Sequence, residues 1–319
     1  MDSQIPHIMS YSKIVGQSEL KLALELSFIA PQIGGVLITG EKGTGKSTTV
    51  RGFAQMMWDK LPVTLPINAT EDRVIGGWKI DELLQTKAVW QPGVLMEAND
   101  EMLYVDEVNL LDDQIVNLIL DVTSTGVLVV QREGKSHTEA IRFSLVGTMN
   151  PDEGGLRPQL LDRFGLMVEV KCEADPVLRG EILQNVLDFD QALFSLKNNL
   201  PNNFLEAALS ENKKEKKRLE DAKMRFEDQE SPITISPSLI QKCVALAEKL
   251  SAEGHRGDYV CALAAKALAA KEGRNAVEPV HFKRVARLAF QHRKAGSSEN
   301  IVWTEAAEQI LNELFDDSE

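Results

Sequence analysis

Cysteine is scarce in this chain of 319 residues. The three present, Cys172, Cys243 and Cys261, are scattered, with no CxxC spacing and no adjacent histidine. That excludes a disulfide framework and a thiolate metal cluster, fits a reducing compartment, and leaves all three as small core residues. Histidine offers no substitute, because His7, His137, His255, His281 and His292 show none of the paired helical spacings of a zinc site and read as solvated or capping residues. Positive charge is in deficit as well: 35 Lys and Arg face 48 Asp and Glu, and the net charge of -13 repels a phosphate backbone. A nucleic acid partner is not expected. No segment approaches the roughly 18 uninterrupted apolar residues of a membrane span. The start MDSQIPHIMSYSK has no basic flank leading into an apolar run, so the expected location is the cytoplasm, with no membrane contact.

What is present is a globular composition, 43% apolar, which in a chain this long can bury two cores. From Gly35 to about Cys172 the runs GVLIT, PVTLPIN, MLYVDE, IRFSLVGTMN and LMVEVK alternate with amphipathic stretches such as STTVRGFAQMMWDKL. Buried strand runs separated by helical patterns predict an α/β fold with a mostly parallel sheet between helices. The run VLVVQREGKSHTEAIRF predicts a projecting hairpin that turns at Glu133 and Gly134. After Asp188 no strand pattern returns. Residues 211 to 230 are a mixed-sign charge run, read as a solvated helix or connector. Pro232 and Pro237 then precede SLIQKCVALAEKL and YVCALAAKALAAKEG, both helical in pattern. The chain thus divides into an αβα core over about 1–190, a charged helical connector over about 191–230 and a smaller helical domain over about 231–319. Trp58 and Trp303 read as core residues, Trp78 and Trp90 as partner anchors, and the tail FDDSE as frayed.

Directly after the strand pattern GVLIT stands GEKGTGKS, which satisfies G-x-x-x-x-G-K-[ST] in the strand-loop-helix context that motif requires. The loop Gly40, Glu41, Lys42, Gly43, Thr44, Gly45, Lys46, Ser47 and Thr48 is therefore predicted to bind ATP. Its glycines let backbone N-H groups wrap the phosphates, Lys46 reaches the β and γ oxygens, and the following helix points its N-terminus at the anion. A second strand pattern, MLYVDE, ends in paired carboxylates. Asp106, with the Ser47 hydroxyl, is expected to serve Mg²⁺, and Glu107 to polarise the attacking water.

Two further residues admit two readings each. Asn150, at the end of FSLVGTMN, can bridge the γ-phosphate and the catalytic water, or can form a turn with Pro151. If LRPQLLDRF is a helix from about Pro158, a rise of about 1.5 Å per residue carries Arg163 roughly 8 to 10 Å from that end, pointing away from its own nucleotide. Such an arginine suits a neighbour's γ-phosphate, where it is worth about 10³ to 10⁵ in rate. It equally suits a surface ion pair with Asp162, worth under about 1 kcal/mol.

Taken together, IVGQSELKLALELSFIAPQIGGVLITGEKGTGKST, TEDRVIGGWKID, YVDEVNLLDDQIVNLILDV, GTMNPDEGGLRPQLLDRFGLMVEV and EGHRGDYVCALAAKALAA closely resemble the ATPase (I) subunit family of magnesium chelatase, which is AAA+. The resemblance runs from about residue 10 to about residue 295. It implies that Lys46, Ser47, Asp106 and Glu107 are the Walker A and B residues and that Asn150 is sensor 1. Arg163 is then the arginine finger given to the next subunit of a ring, and Arg256, in GHRGD, the sensor 2 arginine. Glu107, Asn150, Arg163 and Arg256 form the implied catalytic set. The same resemblance implies an insertion over about 72–100, a pre-sensor hairpin over about 127–138, and a C-terminal helical lid closing over the nucleotide.

The implied function is an ATP-hydrolysing motor, a hexameric ring with shared ATP sites. It drives metal insertion into a tetrapyrrole in a magnesium- or cobalt-type chelatase. The implied partners are a large chelatase subunit and a von Willebrand A domain protein. Between the P-loop helix and the next strand only WDKLPVTLPINATEDR intervenes, shorter than in members serving chlorophyll synthesis. That keeps MoxR-like ATPases, which remodel von Willebrand A proteins, as the alternative. A nucleotide-gated scaffold that barely hydrolyses ATP is a third reading, against which Glu107 speaks.

Overall fold

Five short apolar runs pair side by side into one parallel sheet: β1 (Val36–Thr39), β2 (Val63–Leu65), β5 (Met102–Val105), β8 (Ser144–Met149) and β9 (Leu166–Glu169), in the order β2-β5-β8-β1-β9. The computed structural model describes residues 8–78, 90–132, 135–198, 200–293 and 303–316. Side chains alternate across the sheet with the period of two that a strand imposes. Val36, Ile38, Met102, Tyr104, Val146, Leu166 and Val168 join one apolar cluster, whereas Leu37, Leu103, Val105, Leu145 and Met167 join another. The first cluster is covered by α1 (Ser18–Ile29) and α2 (Lys46–Trp58), the second by α3 (Glu71–Ile75), α4 (Val94–Glu97) and α5 (Asp113–Thr125). Register sets Thr39 beside Met149 and Val105 beside Gly147, so the carboxyl ends of β1, β5 and β8 finish together. The P-loop, the Asp106–Glu107 pair and Asn150 follow those three ends.

Two antiparallel ribbons project from the core. β3 (Gly76–Trp78) pairs with β4 (Trp90–Pro92), and β6 (Val127–Arg132) with β7 (Lys135–Ala140). The tryptophans expected to anchor a partner engage one another within the chain, with Trp78 and Trp90 edge-on at 5.3 Å, and Trp90 stacked on His137 of the hairpin at 4.3 Å. The insertion is thereby tied to the hairpin. Residues 79–89 of that insertion and the predicted turn at 133–134 lie outside the described residues.

The rest is helical: α6 (Pro158–Leu161), α7 (Pro176–Lys197), α8 (Asn203–Glu227), α9 (Pro237–Lys249), α10 (Arg256–Lys271), α11 (Pro279–Phe290) and α12 (Glu305–Phe315). Residue 190, drawn as the end of the core, falls inside α7. The charge run does not form a wholly solvated connector: Leu219 and Ala222 of α8 are buried against α1 and α10. Alanine explains α10. Ala264, Ala265, Ala267, Ala269 and Ala270 are fully buried, and side chains this small let α8 and α11 approach closely. Cys243 and Cys261 are buried as expected, but Cys172 is exposed. Nor is the described part of the tail frayed, since Phe315 is buried and Asp316 meets Lys283 at 2.5 Å. His281 closes a capping box with Glu278, while His292 is buried rather than solvated.

The helical domain is held to the core by a buried ion pair, Lys271 of α10 with Glu25 of α1, whose side chains are 16% and 6% exposed. Tyr11 donates to the same carboxylate at 2.8 Å, and burial together with that charge holds its hydroxyl well above the usual phenol range. Removing one member of such a pair strands the other charge. Lys271→Met is expected to cost about 3 kcal/mol in urea unfolding, with part of the loss recovered on adding Glu25→Gln. A loss below about 1 kcal/mol would contradict that role.

Candidate nucleotide site

The loop after β1 is built from residues in conformations that L side chains resist. Gly40 has φ of 141°, and a Cβ there would meet the carbonyl oxygen of Val170 at 2.0 Å. Only glycine allows the loop to leave the sheet so close to the chain after β9. A cleft of about 290 Å³ opens over it, lined by Lys42 to Thr48 with Asp106, Glu107, Thr148, Met149 and Asn150. Lys46 Nζ donates to the carbonyls of Gly40 and Glu41, each at 2.6 Å, so its ammonium folds back on its own loop. Burial lowers its pKa, opposed by Asp106 and Glu41. Thr44 braces the loop through the Glu41 carbonyl at 2.9 Å, and Gln17, just before α1, donates to the Thr44 carbonyl at 2.8 Å.

The Asp106 carboxylate is oriented by two hydroxyls that the motif does not contain. Tyr104, inside β5, donates to Asp106 Oδ1 at 2.9 Å, and its hydroxyl oxygen lies in hydrogen-bond contact with the Ser47 hydroxyl at the same distance. Thr148, on the neighbouring β8, donates to Asp106 Oδ1 at 2.5 Å and accepts from the Glu107 backbone N-H at 3.1 Å. Glu107 has φ of 54°, a left-handed conformation that costs a non-glycine residue of order 1 to 3 kcal/mol. Asn150 accepts from the Asp152 N-H at 3.3 Å, which caps the short turn Pro151–Glu153 while the residue lines the cleft. Its turn role and its place at the cleft therefore coexist. Lys42 is drawn off to Glu153 at 2.5 Å, and that pairing raises its pKa.

Neither predicted arginine lines this cleft, and among the described residues no arginine does. Arg163 follows α6, which ends at Leu161 and is one turn long rather than the helix expected through Phe164. Its guanidinium pairs with Asp121 of α5 at 2.5 Å, with side chains 36% and 56% exposed. Asp162, the neighbour expected to hold it, pairs instead with Arg293 at 3.1 Å. Arg256 donates to the Arg163 carbonyl at 2.6 Å and to Ser124 Oγ at 3.2 Å, and its Nη2 lies 2.9 Å from where a Gly34 Cβ would stand. Gly34 precedes β1 and Gly165 precedes β9, so both arginines sit by the amino ends of the strands. The P-loop is at the other end.

A family model described as an AAA domain (dynein-related subfamily) matches residues 35–164, and one described as an AAA lid domain matches residues 240–314. The magnesium-chelatase subunit ChlI of Olisthodiscus luteus is 37% identical, with 98% of each chain covered. The chain belongs to the magnesium-chelatase I-subunit family of AAA+ ATPases. The magnesium-chelatase 38 kDa subunit of Rhodobacter capsulatus is also 37% identical, over 93% of each chain. A structure of the BchI and BchD complex of magnesium chelatase matches 95% of this chain and 99% of its own, with 36% identity and a TM-score of 0.51. A crystal structure from Cytophaga hutchinsonii, 18% identical with a TM-score of 0.61, shares the fold. Near-complete coverage favours the chelatase subunits over the MoxR-like alternative, despite the short stretch after the P-loop helix.

Among the described residues none beyond Asn150 lines the cleft, and α10 and α11 of the helical domain, expected as a lid, pack beside the turn Pro31–Ile33 and β9. Tyr104, Thr148 and Arg293 were missed by sequence reading. The first two lie inside ordinary-looking strands and the third at the end of a basic helix, and no local pattern separates them from packing residues. Thr148→Val removes a hydrogen bond to a carboxylate, worth about 1.5 to 3 kcal/mol. ATP turnover is expected to fall about tenfold or more, with Thr148→Ser keeping most of it. Unchanged turnover in the valine variant would mean that Asp106 needs no orienting hydroxyl.

Proposed function

We propose that the chain is the Mg²⁺-dependent ATPase subunit of a tetrapyrrole metal chelatase, acting as a homo-oligomeric ring, a hexamer, with ATP sites shared between neighbours. One observation carries the reading. The cleft holds two lysines, Lys42 and Lys46, two carboxylates and an amide but, among the described residues, no guanidinium, while Arg163 and Arg256 stand together at the opposite end of the sheet. Hydrolysis needs positive charge on the γ-phosphate as it leaves. A second copy can bring it.

In this reading Lys46 exchanges the carbonyls of Gly40 and Glu41 for the β and γ oxygens, and Glu107 accepts a proton from the attacking water. Asn150 and a neighbour's Arg163 and Arg256 contact the γ-phosphate. The exposed pair of Arg163 with Asp121 is worth under about 1 kcal/mol, so the guanidinium leaves it readily for a triphosphate. The Ser47 hydroxyl and Asp106 carboxylate converge on one phenol, and such a hard oxygen set suits Mg²⁺. When bound, Mg²⁺ neutralises charge on the phosphate oxygens. A von Willebrand A domain protein and a large chelatase subunit are the proposed partners, a reading supported by the likeness to the BchI and BchD complex, and recovery of the large subunit in a pulldown supports that assignment.

Lys46→Ala and Arg163→Ala proteins are each expected to lack turnover and to regain part of it on mixing. No recovery at any ratio would exclude shared sites. Glu107→Gln is expected to bind ATP and to release phosphate about a hundredfold more slowly; a rate equal to that of the unaltered chain would restore the scaffold reading.

A further inference from the structure

Four consecutive backbone carbonyls around Arg163 accept hydrogen bonds from the helical domain. Asp162 O is met by Arg293 Nη2 at 3.0 Å, Arg163 O by Arg256 Nη2 at 2.6 Å, and Gly165 O by Arg293 Nη1 at 3.0 Å. Phe164 O takes both His292 Nε2, at 3.0 Å, and a close contact from Arg293 Nη2. Arg293 Nε adds the Asp162 carboxylate at 3.1 Å. Carbonyls left over at a helix end are commonly satisfied by water or by a glycine turn. Here another domain satisfies them.

The Arg293 side chain is fully buried while Asp162 is 43% exposed. Burial lowers the guanidinium pKa to about 10 against the opposing pull of Asp162, and burial with Arg293 beside it keeps His292 neutral. Two glycines make the approach possible. A Cβ on Gly257 would meet the Phe290 ring at 2.7 Å and Arg293 Cδ at 3.3 Å, and one on Gly165 would meet the Ile33 carbonyl at 2.0 Å. Phe164 is buried against Gly147 and Val108 beneath the loop. The backbone of residues 162–165 is thus clamped from both sides, while the Arg163 guanidinium, outside the clamp, pairs only with the exposed Asp121.

We propose that Arg293 is the positioning residue for Arg163, so that the helical domain of one protomer sets the aim of the arginine it presents to the next. The inference rests on the shared-site reading above and adds to it a direction: the helical domain acts on the neighbour's ATP and not on its own. A shift of about 1 Å in a positioning group can cost about 10² in rate, so a rigid clamp has a measurable consequence.

The test uses the full-length chain with Arg293→Gln, which keeps a donor but loses the fork that reaches three carbonyls and a carboxylate. Its own cleft is untouched, so KM for ATP is expected to stay within about twofold while kcat falls about tenfold or more. On mixing with Lys46→Ala protein, whose arginine is correctly held, turnover is expected to recover as it does for Arg163→Ala. A general loss of folding would give no such recovery. Unchanged kcat, or no recovery in a mixture where Arg163→Ala does recover, overturns the inference and leaves the shared site standing. Failure of Arg163→Ala itself to recover sinks the shared site instead. If Arg293→Gln does not fold, Asp162→Asn, altered at a half-exposed atom of the same contact, decides: reduced kcat with recovery on mixing supports the clamp, and full activity overturns it.

Discussion

Parallel pairing of β1, β5 and β8 is the constraint from which the rest follows. Because these strands run the same way and end in register, everything that follows a strand gathers at one edge and everything that precedes one gathers at the other. The phosphate cradle, both carboxylates and Asn150 belong to the first set. Arg163 belongs to the second, since its loop leads into β9, and Arg256 reaches the same place beside Gly34. A four-residue strand alone separates the two edges by roughly 13 Å. Neither arginine lines the cleft of its own chain.

Strong and weak contacts are divided in a way that suits this arrangement. The contacts that hold the helical domain, Lys271 with Glu25 and Arg293 with Asp162 and three carbonyls, are buried on at least one side. The contact that holds the Arg163 guanidinium is exposed on both sides. Disrupting the first kind leaves an unpaired charge in a low dielectric, whereas disrupting the second costs little in water. The loop backbone is therefore fixed and the guanidinium is free to change partner.

The fold was legible where local pattern and burial agree. The apolar runs ending in Thr39, Val105 and Met149 are strands buried on both faces, and a glycine-rich loop followed by a helix pattern has few other physical explanations. The loop, Asp106, Glu107 and Asn150 do gather at one cleft, as their positions after strand patterns imply. What could not be read was set by distant contacts. Nothing around Asp162 says that its partner lies at Arg293, and the sequence of LRPQLLDRF is compatible with a longer helix than the one turn that forms. The seat of the helical domain depends on small side chains along α10 and on Gly257, which in sequence look like ordinary helix formers and a turn. Packing across domains decided it, and local pattern carries no such signal.

The central claim is that a single copy lacks the positive charge its cleft needs. Specific ATPase activity measured as a function of protein concentration, alongside sedimentation of the same samples, tests this most directly. Turnover per subunit is expected to rise from near zero where the protein sediments as a monomer to a plateau where it assembles. Constant turnover per subunit down to concentrations at which only monomer sediments would contradict it.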